Sequence, residues 1–318
     1  MHKKELKASM LLTLAAMIWG FAFVAQRVGS RYIGSFTLNG IRFALGAFSL
    51  LPIMVIQKKK QDNGNKENVG KDRKSENQAV WKVGISAGFI LFIAAGLQQL
   101  GLVETTAGKA AFITGFYIIL VPVFGIFLKQ KTRVNTWVAA TLAIIGLYFI
   151  SIEDNFIISR GDFLVFLCSF FFAAHILLIS KYTRKMDTLK LSFVQYLTCS
   201  VLSSAVALFM EDIHLSNILK AAIPIIYGGV FSVGIAYTLQ VIGQKHAKPS
   251  SAAIIMSLES VFALIGGIII LQESMNWKGY VGCFLMLVAV LLSQYRRRYV
   301  KERVDTSGSL NQANSPLL

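Results

Sequence analysis

Ten apolar runs constrain this chain more than any other feature. They lie near residues 8–27, 34–56, 83–103, 107–128, 134–152, 162–180, 190–210, 218–243, 249–271 and 279–294. Each is close to the length that crosses a ~30 Å hydrocarbon core at a rise of ~1.5 Å per residue. Segments such as Phe163 to Ser180 are apolar on nearly every face, so they have no polar stripe to turn toward water. With 55% hydrophobic residues, 15% charged and a mean hydropathy of +0.59, the charges must be confined to short connections. The expected class is an all-α membrane protein of ten transmembrane helices. Only Glu104 to Lys109 separates the third run from the fourth, so nine spans is the alternative count.

Basic residues test the orientation, because Lys and Arg beside a span favour the cytoplasmic side. With the N-terminus inside, 25 of the 32 Lys and Arg fall in cytoplasmic segments. Arg27, Arg31, Lys109, Arg160, Lys220 and Lys278 fall opposite, and Arg42 lies within a span. The net charge of +16 is thereby explained by orientation and by contact with anionic lipid headgroups, with no nucleic acid. Both termini are expected in the cytoplasm of a cell (plasma or inner) membrane. Lys3 and Lys4 before an apolar run resemble a secretory signal, but the run continues to about Gln26 without a small-residue cleavage site, as in an uncleaved first helix. The segment 57–80 has no apolar period and is expected to be a flexible linker within the cytoplasmic loop 57–82. The cytoplasmic tail, 296–318, is expected to be disordered from about Thr306.

One stretch occurs twice. Leu97-Gln98, Gly101, Ala110-Ala111 and Ile113 recur 142 positions later as Leu239-Gln240, Gly243, Ala252-Ala253 and Ile255, with identity at six of 17 aligned positions. Nearer the N-terminus the offset becomes 153, with Trp19-Gly20 on Phe172-Ala173 and Arg42 on Gln195. The drop of eleven is what the long loop 57–80 produces. Five spans per half means that the second copy starts from the opposite side of the membrane. The expected organisation is therefore a first repeat over 8–152 and an inverted second repeat over 153–295, with the tail beyond. Secondary transporters recurrently use this arrangement, with a substrate site near the midplane between the repeats.

A family resemblance follows from Ala16, Trp19-Gly20 and Phe23-Val24 in the first run, Asn39-Gly40-Ile41-Arg42-Phe43 in the second, and Ser257 through Ala263 in the ninth. Together they resemble the EamA-type members of the drug/metabolite transporter superfamily, over essentially residues 8–295. The resemblance implies two five-helix repeats and a permease or exporter of small metabolites, often amino acids. The chain departs from the family pattern at three positions. Ser260 stands where a proline usually follows the glutamate, Phe172 where tryptophan is common, and Gln272 where a glycine is common before Glu273.

Polar residues inside the runs are the candidates for chemistry. Glu259 lies about ten residues into the ninth run, roughly 15 Å from its end by helical rise. A carboxyl at that depth is a candidate for proton coupling, and the structural alternative is a hydrogen-bonded tie between helices. Arg42 reads as a counter-charge for a substrate carboxylate or for Glu259, or else as a side chain that snorkels to the interface. Gln98 and Gln240 occupy equivalent positions and must face protein or a watered cavity. Trp19, Tyr117 and Tyr237 are candidate cavity walls, with packing as the alternative. His175 is deep in a span, as a proton relay or a satisfied core residue, and Gln195 joins the substrate-binding set as the counterpart of Arg42.

Several classes lose support. Cys168, Cys199 and Cys283, and the histidines at 2, 175, 214 and 246, form no disulfide or metal spacing, so no metal or cofactor is expected. Gly84 to Gly88 matches GxSxG, but it begins an apolar helix with no strand before it, and no catalytic residue is assigned. The same pair, with Gly40, Gly46, Gly266 and Gly267, offers small surfaces for close helix approach. No phosphate-binding loop is present, so transport is expected to be downhill or gradient-coupled. The reading is a non-enzymatic secondary transporter of small polar metabolites, with amino acids the expected class, alternating access the mechanism, and a monomer or homodimer the assembly. The alternatives are an intramembrane lipid-modifying enzyme and a receptor or channel.

Overall fold

The computed structural model describes residues 3–64, 72–129, 132–151, 159–272 and 277–294, and among these it contains helices and turns but no strand. The first half comprises α1 (Lys3–Gly29), α2 (Ser35–Gly64), α3 (Asp72–Glu104), α4 (Ala107–Thr114), α5 (Tyr117–Phe127) and α6 (Val134–Ser151). The second begins with α7 (Arg160–Tyr182) and α8 (Thr188–Met210), followed by the short α9 (Leu215–Lys220) and α10 (Ala222–Ile226). A π-helix over Tyr227–Tyr237 leads into α11 (Thr238–Gln244), and then come α12 (Pro249–Met256), α13 (Glu259–Leu271) and α14 (Trp277–Gln294). Among the described residues, eight helical stretches are long and apolar enough to cross a membrane, and Val134–Phe149 and Trp277–Ser293 are shorter apolar helices.

The separation expected at Glu104 to Lys109 is real. α3 stops at Glu104, and the Thr106 side chain accepts a hydrogen bond from Lys109 N at 3.2 Å, capping α4. The flexible linker over 57–80 needs correction. α2 runs on to Gly64 and α3 starts at Asp72, so both ends of the polar segment are helical. The lysines, glutamines and glutamate there are good helix formers, and a helix leaving the membrane needs no apolar face to persist in water. Residues 65–71 and the tail 296–318 lie outside the described residues.

Two spans change pitch at corresponding points. After α4, Phe116 N bonds to Ile113 O and Ile118 N to Gly115 O, three residues back rather than four. After α12, Leu258 N bonds to Ile255 O and Ser260 N to Ser257 O in the same way. Gly115 is a weak helix former, and the Ser257 hydroxyl donates to Ile254 O at 2.8 Å, competing with the backbone ladder. The tight turns deliver Tyr117 and Glu259 as the first residues of α5 and α13.

The helices pack through small residues. α6 lies along α14, α2 along α8, and α3 against both α7 and α8. α1 runs against α11, the π-helix and α13, while α5 runs against α7. At the α3/α7 crossing, a Cβ on Gly101 would stand 2.5 Å from Gly161 O, and one on Gly161 would stand 2.6 Å from Gly101 O. Without a hydrophobic force between helices in lipid, such backbone approach is a main source of association. Gly84 and Gly88 both face α8, meeting Val194 and Thr198.

The start of α2 is capped from another helix. The Glu211 carboxylate, just past α8, accepts from Phe36 N and Thr37 N at 2.8 Å each, placing negative charge on free amides at a helix N-terminus. Glu211→Ala is expected to lower stability by about 1–2 kcal/mol, as cap removal does elsewhere. Thermal unfolding of the solubilised protein measures it, and an unchanged midpoint would mean that the cap adds nothing.

Candidate functional site

α1, α2, α3, α4, α5, α7, the π-helix, α11, α12 and α13 enclose a central cavity with about 470 Å³ of space not filled by atoms, part of it open to the outside. Its lining comes largely in pairs. Trp19 and Phe172, and Phe23 and Ile176, stand 153 positions apart, while Gln98 and Gln240, Thr114 and Met256, and Tyr117 and Glu259 stand 142 apart. Gln26, Arg42, Ser232 and Tyr237 complete the wall without such partners in it.

The polar chemistry is concentrated at a few atoms. Tyr117 donates its hydroxyl proton to Glu259 Oε1 at 2.9 Å, and both residues are buried. Gln98 Nε2 donates to Thr114 Oγ1 at 3.2 Å. The Trp19 indole donates to Ser232 O at 3.2 Å, a carbonyl made reachable by the wide π-helical turn, and its ring meets Tyr237 edge-on at 4.7 Å. Three buried atoms of lining residues have no hydrogen-bond partner: Gln26 Oε1, Arg42 Nε and Gln240 Oε1. Buried polar atoms are almost always paired, so these three stand out in the cavity wall.

Seven of the nine residues singled out in the sequence meet here: Trp19, Arg42, Gln98, Tyr117, Tyr237, Gln240 and Glu259. His175 and Gln195 do not line the cavity. They bond to each other, His175 Nε2 to Gln195 Oε1 at 2.9 Å, and are fully buried. The His175 ring lies perpendicular to Tyr237 at 6.4 Å, so the pair supports this wall from behind. Arg42 does not snorkel; it is 2% exposed and its Cζ sits 5.1 Å from the Phe43 ring centroid. Nor does it pair with Glu259, whose acceptor is held by Tyr117.

Several lining residues were missed in the sequence. Phe23 and Gln26 share the Trp19 face at helical spacing, and Phe172, Ile176, Thr114 and Met256 follow from the two repeat offsets. Ser232 had no signal, because its part is played by a backbone carbonyl. Among the described residues no cluster of His, Cys, Asp and Glu is suited to a metal, and the three cysteines are free.

At the α4/α7 end, charge ties the helices together. Lys109 Nζ meets Asp162 Oδ2 at 2.6 Å, Thr105 Oγ1 donates to Asp162 Oδ1 at 2.7 Å, and Asp162 forms a capping box with Ser159 at the start of α7.

The EamA-like transporter family matches the chain twice, over residues 6–152 and 159–295. An uncharacterized transporter of Archaeoglobus fulgidus is 31% identical over 297 residues, covering 92% of this chain and 87% of that one. The uncharacterized transporter YoaV of Bacillus subtilis is 19% identical over 290 residues, covering 88% and 94%. A crystal structure superposes with a TM-score of 0.72 over 90% of this chain and 96% of its own, at 15% identity, which is a likeness of fold.

Proposed function

The chain belongs to the EamA-like transporter family and is a multi-pass membrane protein, and from that premise we propose that it is a secondary carrier of small polar metabolites, amino acids foremost, working by alternating access. The observation that carries this reading is the hydrogen bond between Tyr117 and Glu259. Two residues one repeat offset apart, 142 positions, meet in the buried wall of the cavity. In a two-fold arrangement equivalent residues touch only near the axis, so this contact supports a cavity on that axis.

The same symmetry supports ten spans in two inverted repeats, 8–152 and 153–295. Under the offsets, α1 corresponds to α7, α3 to the stretch α10 to α11, and α4/α5 to α12/α13. The packing is then reciprocal: α1 on α13 answers α7 on α5, and α3 on α8 answers the π-helix on α2. A site on the axis presents the same surroundings to either side of the membrane when the halves exchange conformations. The charge pattern supports an N-terminus in the cytoplasm of a cell membrane, which puts the Lys109–Asp162 bridge on the outer side. Its counterparts by offset are Ser251 and Ser9, which cannot form an ion pair, so the bridge would close one end only.

A covalent lock tests this. With the three native cysteines replaced and cysteines at 109 and 162 joined by a short crosslinker, transport is expected to stop. A reporter cysteine at Ser232 is then expected to lose its reaction with impermeant maleimide from the outer face and keep it from the inner one. Undiminished transport in the crosslinked protein would remove the gating role.

A further inference from the structure

The central cavity contains a guanidinium without a counter-charge, and from it we infer that Arg42 forms a subsite for a substrate carboxylate. The inference rests on the carrier reading above and specifies one end of what is carried.

Arg42 lines the cavity while only 2% exposed, and its Nε has no hydrogen-bond partner. Among the described residues no carboxylate lies within 4.0 Å of it, and the carboxyl that shares the cavity accepts from Tyr117 instead. A guanidinium stays charged, and burial without an anion is strongly disfavoured, so the ring of Phe43 at 5.1 Å is a weak substitute for one. The unpartnered Nε matters for the choice of anion. Nε and a neighbouring Nη present two parallel N–H groups that match the two oxygens of a carboxylate.

The rest of the wall suits the remainder of a small organic acid. Gln240 Oε1 and Gln26 Oε1 are unpartnered acceptors, ready for N–H or O–H donors, and Trp19, Phe23 and Met256 give an apolar surface. The substrate class is thus a small carboxylic acid with a hydrogen-bond donor near the acid group, which includes the amino acids.

Binding to the full-length protein in lipid nanodiscs, read as thermal stabilisation, separates the possibilities. The panel contains amino acids and small hydroxy acids, each with its carboxamide and methyl ester, together with phosphate monoesters. At least one carboxylate is expected to stabilise the protein while its amide and ester do not. Arg42→Gln is expected to weaken that binding by about 30-fold or more, with Arg42→Lys in between. An amide that binds within about threefold of its acid overturns the subsite, even if the variants fail to fold. So does a panel in which no carboxylate binds, or in which a phosphate monoester binds more tightly than any carboxylate. Exchange assays on the same panel separate this inference from its premise. Carboxylates that bind without being exchanged leave the subsite standing and remove the carrier reading. Exchange of neutral solutes with no preference for acids does the reverse.

Discussion

Glu259→Gln is expected to reduce proton-driven uptake to background while leaving substrate exchange across symmetric pH intact. Glu259 is buried at mid-span, 5% exposed, and Tyr117 is its hydrogen-bond partner. Gln keeps the shape and the carbonyl oxygen that accepts from Tyr117, so the α5/α13 contact survives. What it cannot do is take up and release a proton, and a carboxyl in that position is the one acid lining the cavity. Uptake driven by a pH gradient should therefore vanish and exchange should persist. Loss of both in a protein that remains folded would make Glu259 a structural tie. Glu259→Ala gives a different result, because the Tyr117 hydroxyl then loses its acceptor, which destabilises by about 1–3 kcal/mol.

Gly20→Ala is expected to prevent folding or to cost more than about 3 kcal/mol, an unusually large effect for one methyl group. A Cβ there would overlap Phe262 Cβ and stand 2.7 Å from Ala263 N and Phe262 C. Two of these three atoms belong to the α13 backbone, so no rotamer change relieves the overlap, and α1 must move away from the helix that carries Glu259. Gly108→Ala is the control. Nothing lies within 4 Å of a Cβ at that position, and removing a helical glycine should leave stability unchanged or raise it by up to about 1 kcal/mol. Yield and thermal midpoint of the two variants, purified side by side, measure the contrast. A Gly20→Ala protein as stable as wild type would show that the α1/α13 approach is looser than the structure has it.

Much of this molecule was legible because the membrane simplifies the code. Long apolar runs read as helices in hydrocarbon, so the positions of most helices followed from hydropathy, the polar end of α2 and the polar start of α3 excepted, and the offset seen at Gln98 and Gln240 led to a shared cavity. The offset also equates Tyr117 with Glu259, but an aromatic and an acid look unrelated in sequence, and their bond was not foreseen. Depth along a span was readable; rotation about the helix axis was not. His175 and Gln195 are as deep as the cavity residues, yet they face each other behind Tyr237, because every face of these spans is apolar enough to hide which one turns inward. The same limit left open whether Arg42 pairs with Glu259, and the geometry shows that it does not. In the linker, polarity was taken for flexibility, although water tolerates a polar helix as readily as a coil.

Counterflow into proteoliposomes tests the central claim most directly. The purified chain is preloaded with unlabelled solute, diluted into labelled solute, and followed over a panel of amino acids and other small metabolites. An alternating-access carrier predicts transient, saturable accumulation of one solute class above its external concentration, blocked by the 109–162 crosslink. Flux that never exceeds equilibrium and does not saturate would describe a channel. Absence of any exchange across the panel would contradict the carrier reading of this cavity.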